Sequence, residues 1–240
     1  MGFRPKLIPT LFSLPVFIAM LFLGTWQVQR LEWKQDLIEK LQERAAQAPG
    51  AIPDAPVNEE DYEFTPVQVK GVYDHDHEFH LVNRSLNGEA GINVVTPLKM
   101  DDGKTVLVNR GWVPFEMRDK ELRPEGLLSG EQTVTGLLRF VKPRSMIENW
   151  VVPENEPENN AWFNIDPEAM ARQAGLPSLP EYYILASDQS ARGNLPQGRQ
   201  WSLDVRNDHL QYAITWYCLA LGLLVIYVIY HRKAAAEEKS

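Results

Sequence analysis

Cysteine is almost missing from this chain. The one present, Cys218, lies inside a long apolar run, so an intrachain disulfide is excluded and cysteine usage says nothing about the compartment. Catalytic signatures are missing too: there is no nucleophile elbow, no phosphate-binding glycine loop and no His-Glu-x-x-His zinc pattern, and the chain reads as a non-enzyme. Basic charge is scarce where a nucleic-acid binder needs it, since residues 31–208 hold 18 Lys+Arg against 30 Asp+Glu, a net of −12. Such a surface repels phosphate backbones and offers no basic patch to anionic lipid, so nucleic acid is not an expected partner. No internal repeat is evident.

What the chain does have is two long charge-free apolar runs, residues 7–28 and 213–230, with a charged stretch of ordinary globular composition between them. At about 1.5 Å of rise per residue such runs measure about 27–33 Å as helices, the thickness of a bilayer's hydrocarbon core. The whole-chain mean hydropathy of −0.31 conceals this by averaging greasy ends with a polar middle. The pattern implies a two-span membrane protein whose single intervening domain is tethered at both ends. Arg4 and Lys6 precede the first run while Arg232 and Lys233 follow the second, which puts the short tails in the cytoplasm and the domain in a periplasm-like space. Arg30 and Lys34 on the other flank weaken that bias, but long domains translocate largely regardless of charge.

A basic start before an apolar run also marks a signal peptide, but this run is too long for one. Ala46-Gln47-Ala48 has the small-x-small form of a cleavage site yet lies far beyond the run. No Arg- and Ser-rich stretch precedes the run, which makes a bacterial plasma membrane the expected home. The expected divisions are a tail 1–6, a span 7–28, a helical extension 29–48, the periplasmic domain 49–208, a span 213–230 and a tail 231–240.

Helical periodicity continues past the first run, because Trp26, Trp33, Leu37 and Leu41 recur amid alternating charges. The helix is expected to end near Gln47, where Pro49-Gly50, Pro53 and Pro56 break it, while Pro9 and Pro15 bear on its membrane part. From Thr65 the period changes to two, giving candidate strands at 67–73, 78–83, 93–98, 105–112, 133–140, 162–165 and 182–186. Asp101-Asp102-Gly103 marks a hairpin turn, and Asp166-Pro167 opens a helix over 167–174 with a carboxylate cap and proline in its first position. The fold class is therefore two transmembrane α-helices flanking a mainly antiparallel β domain with a few helices. The loop 152–160, rich in Pro, Glu and Asn, reads as ordered or clamped.

Three clusters carry possible chemistry. Asp74-His75-Asp76-His77-Glu78-Phe79-His80 holds three of the five histidines with carboxylates between them. A Zn²⁺ or Cu²⁺ site is one reading and a solvated hairpin turn joining two strands is the other. In a strand His77 and His80 point to opposite faces, so convergence would require the turn to fold around the metal. The second cluster opens the last span: Arg206-Asn207-Asp208-His209-Leu210-Gln211-Tyr212, with Ala213, Trp216 and Ala220 on the face of His209. Asn207 or Asp208 can cap this helix, and the positive end of its dipole favours the neutral imidazole that ligates metal. His209 thus has two readings, an axial ligand to haem iron or an interfacial histidine within an aromatic belt of Tyr212, Trp216 and Tyr217. The third cluster is Asn109-Arg110-Gly111-Trp112-Val113-Pro114, whose Arg110 is either a ligand clamp or a structural ion-pair partner.

At these residues the chain resembles the surfeit locus protein 1 family, membrane factors for assembly of cytochrome c oxidase. The resemblance rests on four segments in order: Leu23-Gly24-Thr25-Trp26-Gln27-Val28-Gln29-Arg30, Val108-Asn109-Arg110-Gly111-Trp112-Val113-Pro114, Val152-Pro153-Glu154-Asn155-Glu156-Pro157-Glu158, and Arg206-Asn207-Asp208-His209-Leu210-Gln211-Tyr212. It implies a factor that helps haem a enter the catalytic subunit of a haem-copper oxidase, with His209 as iron ligand. It also implies partners: the cytochrome c oxidase catalytic subunit, haem a synthase and membrane lipid. The alternative within the same family is a scaffold that stabilises an oxidase intermediate without touching haem. No catalytic residue is implied, and the 74–80 cluster is not among the family's segments.

Overall fold

The computed structural model describes residues 5–52, 58–146, 148–187, 195–198 and 207–237. In chain order its elements are α1 (Leu7–Ala45), α2 (Glu59–Tyr62), β1 (Pro66–Tyr73), β2 (Phe79–Leu86), β3 (Glu89–Met100), β4 (Thr105–Pro114), β5 (Glu131–Phe140), α3 (Glu148–Val151), β6 (Ala161–Trp162), α4 (Pro167–Gln173), β7 (Tyr182–Ala186) and α5 (His209–Glu237). They form two units, residues 1–40 with 203–240, and residues 41–202.

The first unit is built on the two apolar runs. Both α1 and α5 are long and apolar enough to cross a membrane, with mean hydropathies of 2.2 and 2.1 over their most apolar windows. Their large side chains mostly face outward, Phe12, Phe22, Leu221 and Ile226 among them, which suits helices whose solvent is hydrocarbon. The residues turned away from solvent include Thr10, Ser13, Phe17, Met20, Gly24 and Gln27 on α1, and His209, Ala213, Trp216, Ala220, Leu223 and Tyr227 on α5. Spacing that alternates three and four is the seam of a helix pair with a left-handed supercoil. Hydrogen bonds set its direction: Thr10 Oγ1 lies 2.6 Å from the Tyr227 hydroxyl and Thr25 Oγ1 lies 3.1 Å from that of Tyr217, so the helices run antiparallel. Gly24 is buried because the Tyr217 ring covers it, and a Cβ there would stand 2.9–3.1 Å from the ring carbons.

In the second unit the strands run in the order β1-β5-β7-β4-β3-β2-β6. All neighbours are antiparallel except β4–β7 and β2–β6. Since β1 pairs with β3 as well as β5, five strands close into a ring. Inside it sit Val67, Val69, Leu98, Val106, Val108, Val134, Leu138 and Ile184, the inward set of the period-two pattern. On the outer face Phe79, Leu81, Val95 and Leu107 are covered by Trp162 and by Met170 and Ala174 of α4 and its cap.

Local chemistry explains most boundaries. β7 spans the expected residues, and β1, β3, β4 and β5 each extend the expected runs by a few. Asp166 Oδ1 accepts from the Ala169 amide at 3.0 Å with Pro167 in the first position of α4, as anticipated. Gly103, at φ +83, turns β3 into β4, and the Met100 amide bonds Lys104 O at 2.8 Å. Gly50 pairs with β1, its oxygen accepting from the Gln68 amide at 2.7 Å, whereas Pro53 and Pro56 lie outside the described residues. Three expectations are corrected. β2 runs on to Leu86 because Asn83, at φ +58, opens a bulge instead of ending the strand. β6 is two residues long, not four. The 74–80 segment is no hairpin, because β1 and β2 are not neighbours; a 3₁₀ turn at His75–His77 leads from one to the other.

Candidate functional site

His209 is the first residue of α5, set there because the Asp208 carbonyl accepts the Tyr212 amide at 3.2 Å and starts the helix. Its ring lies on the seam, and Nδ1 stands 2.6 Å from Gln27 Oε1 on α1. An amide oxygen only accepts, so Nδ1 carries a hydrogen and, in the neutral imidazole, Nε2 keeps its lone pair. Among the described residues no group hydrogen-bonds to Nε2. One ring nitrogen tied to a protein acceptor and the other bare is the arrangement a metal-ligating histidine uses. Ala213 below it is buried and Trp216 is half-buried, which leaves an apolar setting one and two turns along the helix. Gln27 was not singled out by sequence reasoning, although it stands in the Leu23–Arg30 segment.

The three histidines of the 74–80 cluster are drawn apart instead of together. His75 Nε2 donates to Leu128 O at 3.0 Å, His77 Nδ1 meets Asp74 Oδ2 at 3.1 Å, and His80 Nε2 meets Glu78 Oε1 at 3.1 Å. Among the described residues no three His, Cys, Asp or Glu side chains cluster in a way that could hold a metal ion. The segment builds a buried polar core instead. Glu78 pairs with Arg123, and both are buried. Burial by itself would raise the Glu78 carboxyl, but hydrogen bonds from His80 and Arg123 and the Arg123 charge hold it below its usual range. Burial lowers the His75 imidazole, with the charges of Arg110 and Lys120 adding to the effect.

Arg110 is fully buried, and the structural ion pair is the reading that is corrected. Among the described residues no carboxylate pairs with it: its guanidinium donates to Gly126 O, reaches His75 Nδ1 at 3.5 Å and lies 4.7 Å from the centre of the Tyr73 ring. Burial pushes the Tyr73 hydroxyl up to about 12 despite that cation. Next to it Gly111, at φ +116, sits against the Gln197 carbonyl, where no side chain fits. The amides of Trp112 and Gln197 bond each other's carbonyls at 2.9 and 2.7 Å.

The SURF1 family model matches residues 14–221. The chain belongs to the SURF1 family. It is 38% identical to human surfeit locus protein 1 over 214 residues, covering 82% of this chain and 69% of that protein. The mouse protein of the same name is 37% identical over 219 residues, 84% and 69% of the two chains. A SURF1-like protein of Monosiga brevicollis is 33% identical over 234 residues, 93% and 87%. In this SURF1-family chain the first and last of the four segments meet through Gln27 and His209 within the helix unit. Arg206, the first residue of the last segment, lies outside the described residues. The two middle segments act within the β domain. Val108–Pro114 supplies Arg110 and Gly111, and in 152–158 Asn155 Oδ1 accepts from the amides of Phe163 at 2.9 Å and Asn164 at 3.2 Å. The clamped loop expected there has its clamp in Asn155.

Proposed function

We propose that this protein is a membrane assembly factor for cytochrome c oxidase that holds haem a through His209 Nε2 and delivers it to the oxidase's catalytic subunit. The observation that carries the reading is the Gln27–His209 hydrogen bond, which presents one bare imidazole nitrogen and fixes the ring that bears it. Haem, when bound, supplies an iron that accepts such a nitrogen as axial ligand. Ligation by a single histidine suits a carrier, because cargo held at one position leaves more readily than cargo held at two. Haem a synthase, as donor, and membrane lipid, around the outward apolar side chains of both helices, complete the partner set.

In this reading both helices span a bacterial plasma membrane, the tails are cytoplasmic, and the acidic β domain stands in the periplasm facing the oxidase. Family membership supports the oxidase role, and the two apolar helices support the membrane location.

A second reading has its own support, because the same 2.6 Å bond also clasps two helices whose seam is filled by Gly24, Ala213 and Ala220. The protein would then be a scaffold for an assembly intermediate. Purification after co-expression with a working haem a pathway separates the two. Copurifying haem whose absorption bands and affinity change in His209→Ala supports the carrier. Bands unchanged in that variant refute His209 as ligand, and absence of haem from the wild type favours the scaffold.

A further inference from the structure

The outer face of the strand ring carries a cleft of about 540 Å³ that the oxidase reading does not use. Asn109 of β4 and Tyr183 and Leu185 of β7 line it, side by side because Asn109 pairs with Leu185 and Leu107 with Tyr183 across the parallel β4–β7 pair. Phe163 and Phe140 give it further aromatic surface. Its volume falls within the range of small-molecule sites, and its wall mixes polar side chains, Arg84, Asn109 and Asn164 among them, with apolar and aromatic ones.

Three cations line this cleft, and two are already neutralised. Arg139 Nε meets Glu63 Oε1 at 2.9 Å and Lys142 Nζ meets Glu59 Oε1 at 2.6 Å. Arg84 has no carboxylate partner among the described residues; its one hydrogen bond is a long one, 3.4 Å, to Phe163 O. The side chain is half-buried, and that burial lowers its pKa from the usual guanidinium value. A guanidinium carries five donors in a planar fork shaped for a carboxylate, so this one keeps most of its capacity unused. The cleft thus holds one positive charge uncompensated among the described residues, within a stretch, residues 31–208, of net charge −12.

Both central family segments bear on this cleft. Asn109 belongs to one, and Asn155 of the other pins the Phe163–Asn164 backbone through its two accepted amide hydrogens. The Phe163 side of the lining is therefore held in place, which lowers the cost of binding.

We propose that this cleft binds an apolar molecule bearing one carboxylate, with the carboxylate on Arg84 and the apolar body against Phe140, Phe163 and Tyr183. A single uncompensated charge matches a monoanion; a doubly charged phosphate would leave charge unpaired beside Glu59 and Glu63. The proposal is independent of haem binding at His209.

The test uses the full chain in lipid nanodiscs with 11-(dansylamino)undecanoic acid as the probe and its methyl ester as the control, empty nanodiscs being subtracted. The acid should bind at least tenfold more tightly than the ester, since only the acid makes charge-assisted hydrogen bonds. Arg84→Gln should abolish that preference, and Arg84→Lys should keep part of it. Phe163→Ala should weaken acid and ester alike by several-fold. Equal affinity for acid and ester on the unmodified chain overturns the proposal, as does a preference that survives in Arg84→Gln or binding unaffected by Phe163→Ala. The acid–ester comparison on the unmodified chain stands even if Arg84→Gln proves unfolded by circular dichroism.

Discussion

Gln27 Oε1 accepts a 2.6 Å hydrogen bond from His209 Nδ1, joining one residue from each apolar helix. The bond selects the imidazole tautomer. In the haem-free protein, ¹⁵N chemical shifts of His209 should report a protonated Nδ1 and a bare Nε2, and Gln27→Leu should mix the two tautomers. With haem a supplied, Gln27→Leu should lower affinity about 10- to 100-fold, the usual cost of removing the partner that orients a metal ligand. Titration by Soret absorbance reads this, and an affinity unaltered in Gln27→Leu would remove Gln27 from the site.

Gly24 and Tyr217 form the tightest point of the helix pair. Leucine at position 24 must displace a ring that lies where its Cβ goes, so Gly24→Leu should destabilise the helix unit by about 1–3 kcal/mol. Tyr217→Ala in the same chain should recover much of the loss by clearing that space. Thermal unfolding of the single and double variants in one detergent measures both, and purely additive effects would contradict the contact.

Gly111 combines a positive φ of +116 with the Gln197 carbonyl at the place of its missing side chain. Gly111→Ala should cost about 3 kcal/mol or more, since backbone strain and overpacking act together. Hydrogen exchange should locate the damage, with the Trp112 and Gln197 amides losing protection first because they bond each other's carbonyls.

His75 makes the β domain sensitive to mild acid. Its folded-state pKa lies below the ordinary 6.5 through burial, helped by the Arg110 and Lys120 charges. Just below pH 6.5 the unfolded chain takes up a proton at His75 that the folded chain does not, so acidification favours unfolding. The stability this group contributes is present above pH 6.5 and falls as the pH drops below it, down to the folded-state value. Between pH 7.5 and 5.5 the melting temperature should therefore fall more in the unmodified protein than in His75→Gln. Parallel profiles for the two would show that His75 does not carry the effect.

Which of these features were legible beforehand follows from the range of the forces involved. Chain-local physics determined the two apolar helices, the period-two strands, the Asp166 cap with Pro167 behind it and the Gly103 turn. Each depends on residues within a few positions of one another, so the sequence alone specifies them. His209 stood out for the same reason, being a lone imidazole at the start of an apolar run.

Only the tertiary structure decided what these residues meet. Gln27 precedes His209 by 182 positions and becomes its partner through antiparallel helix packing. His75, His77 and His80 resemble a ligand cluster in sequence, but a 3₁₀ turn gives each a separate partner. Arg110 is held by a carbonyl and two ring side chains because ring closure buries it where, among the described residues, no carboxylate bonds to it. Among the described residues Arg84 lacks a carboxylate in a cleft where Arg139 and Lys142 have theirs, since Glu63 and Glu59 approach those two from α2 and its C-terminal cap. Secondary structure follows from backbone preference and hydrophobic period, which act along the chain; pairing of charges and tautomers follows from contacts across it, and those exist only once the helices and the strand ring have formed.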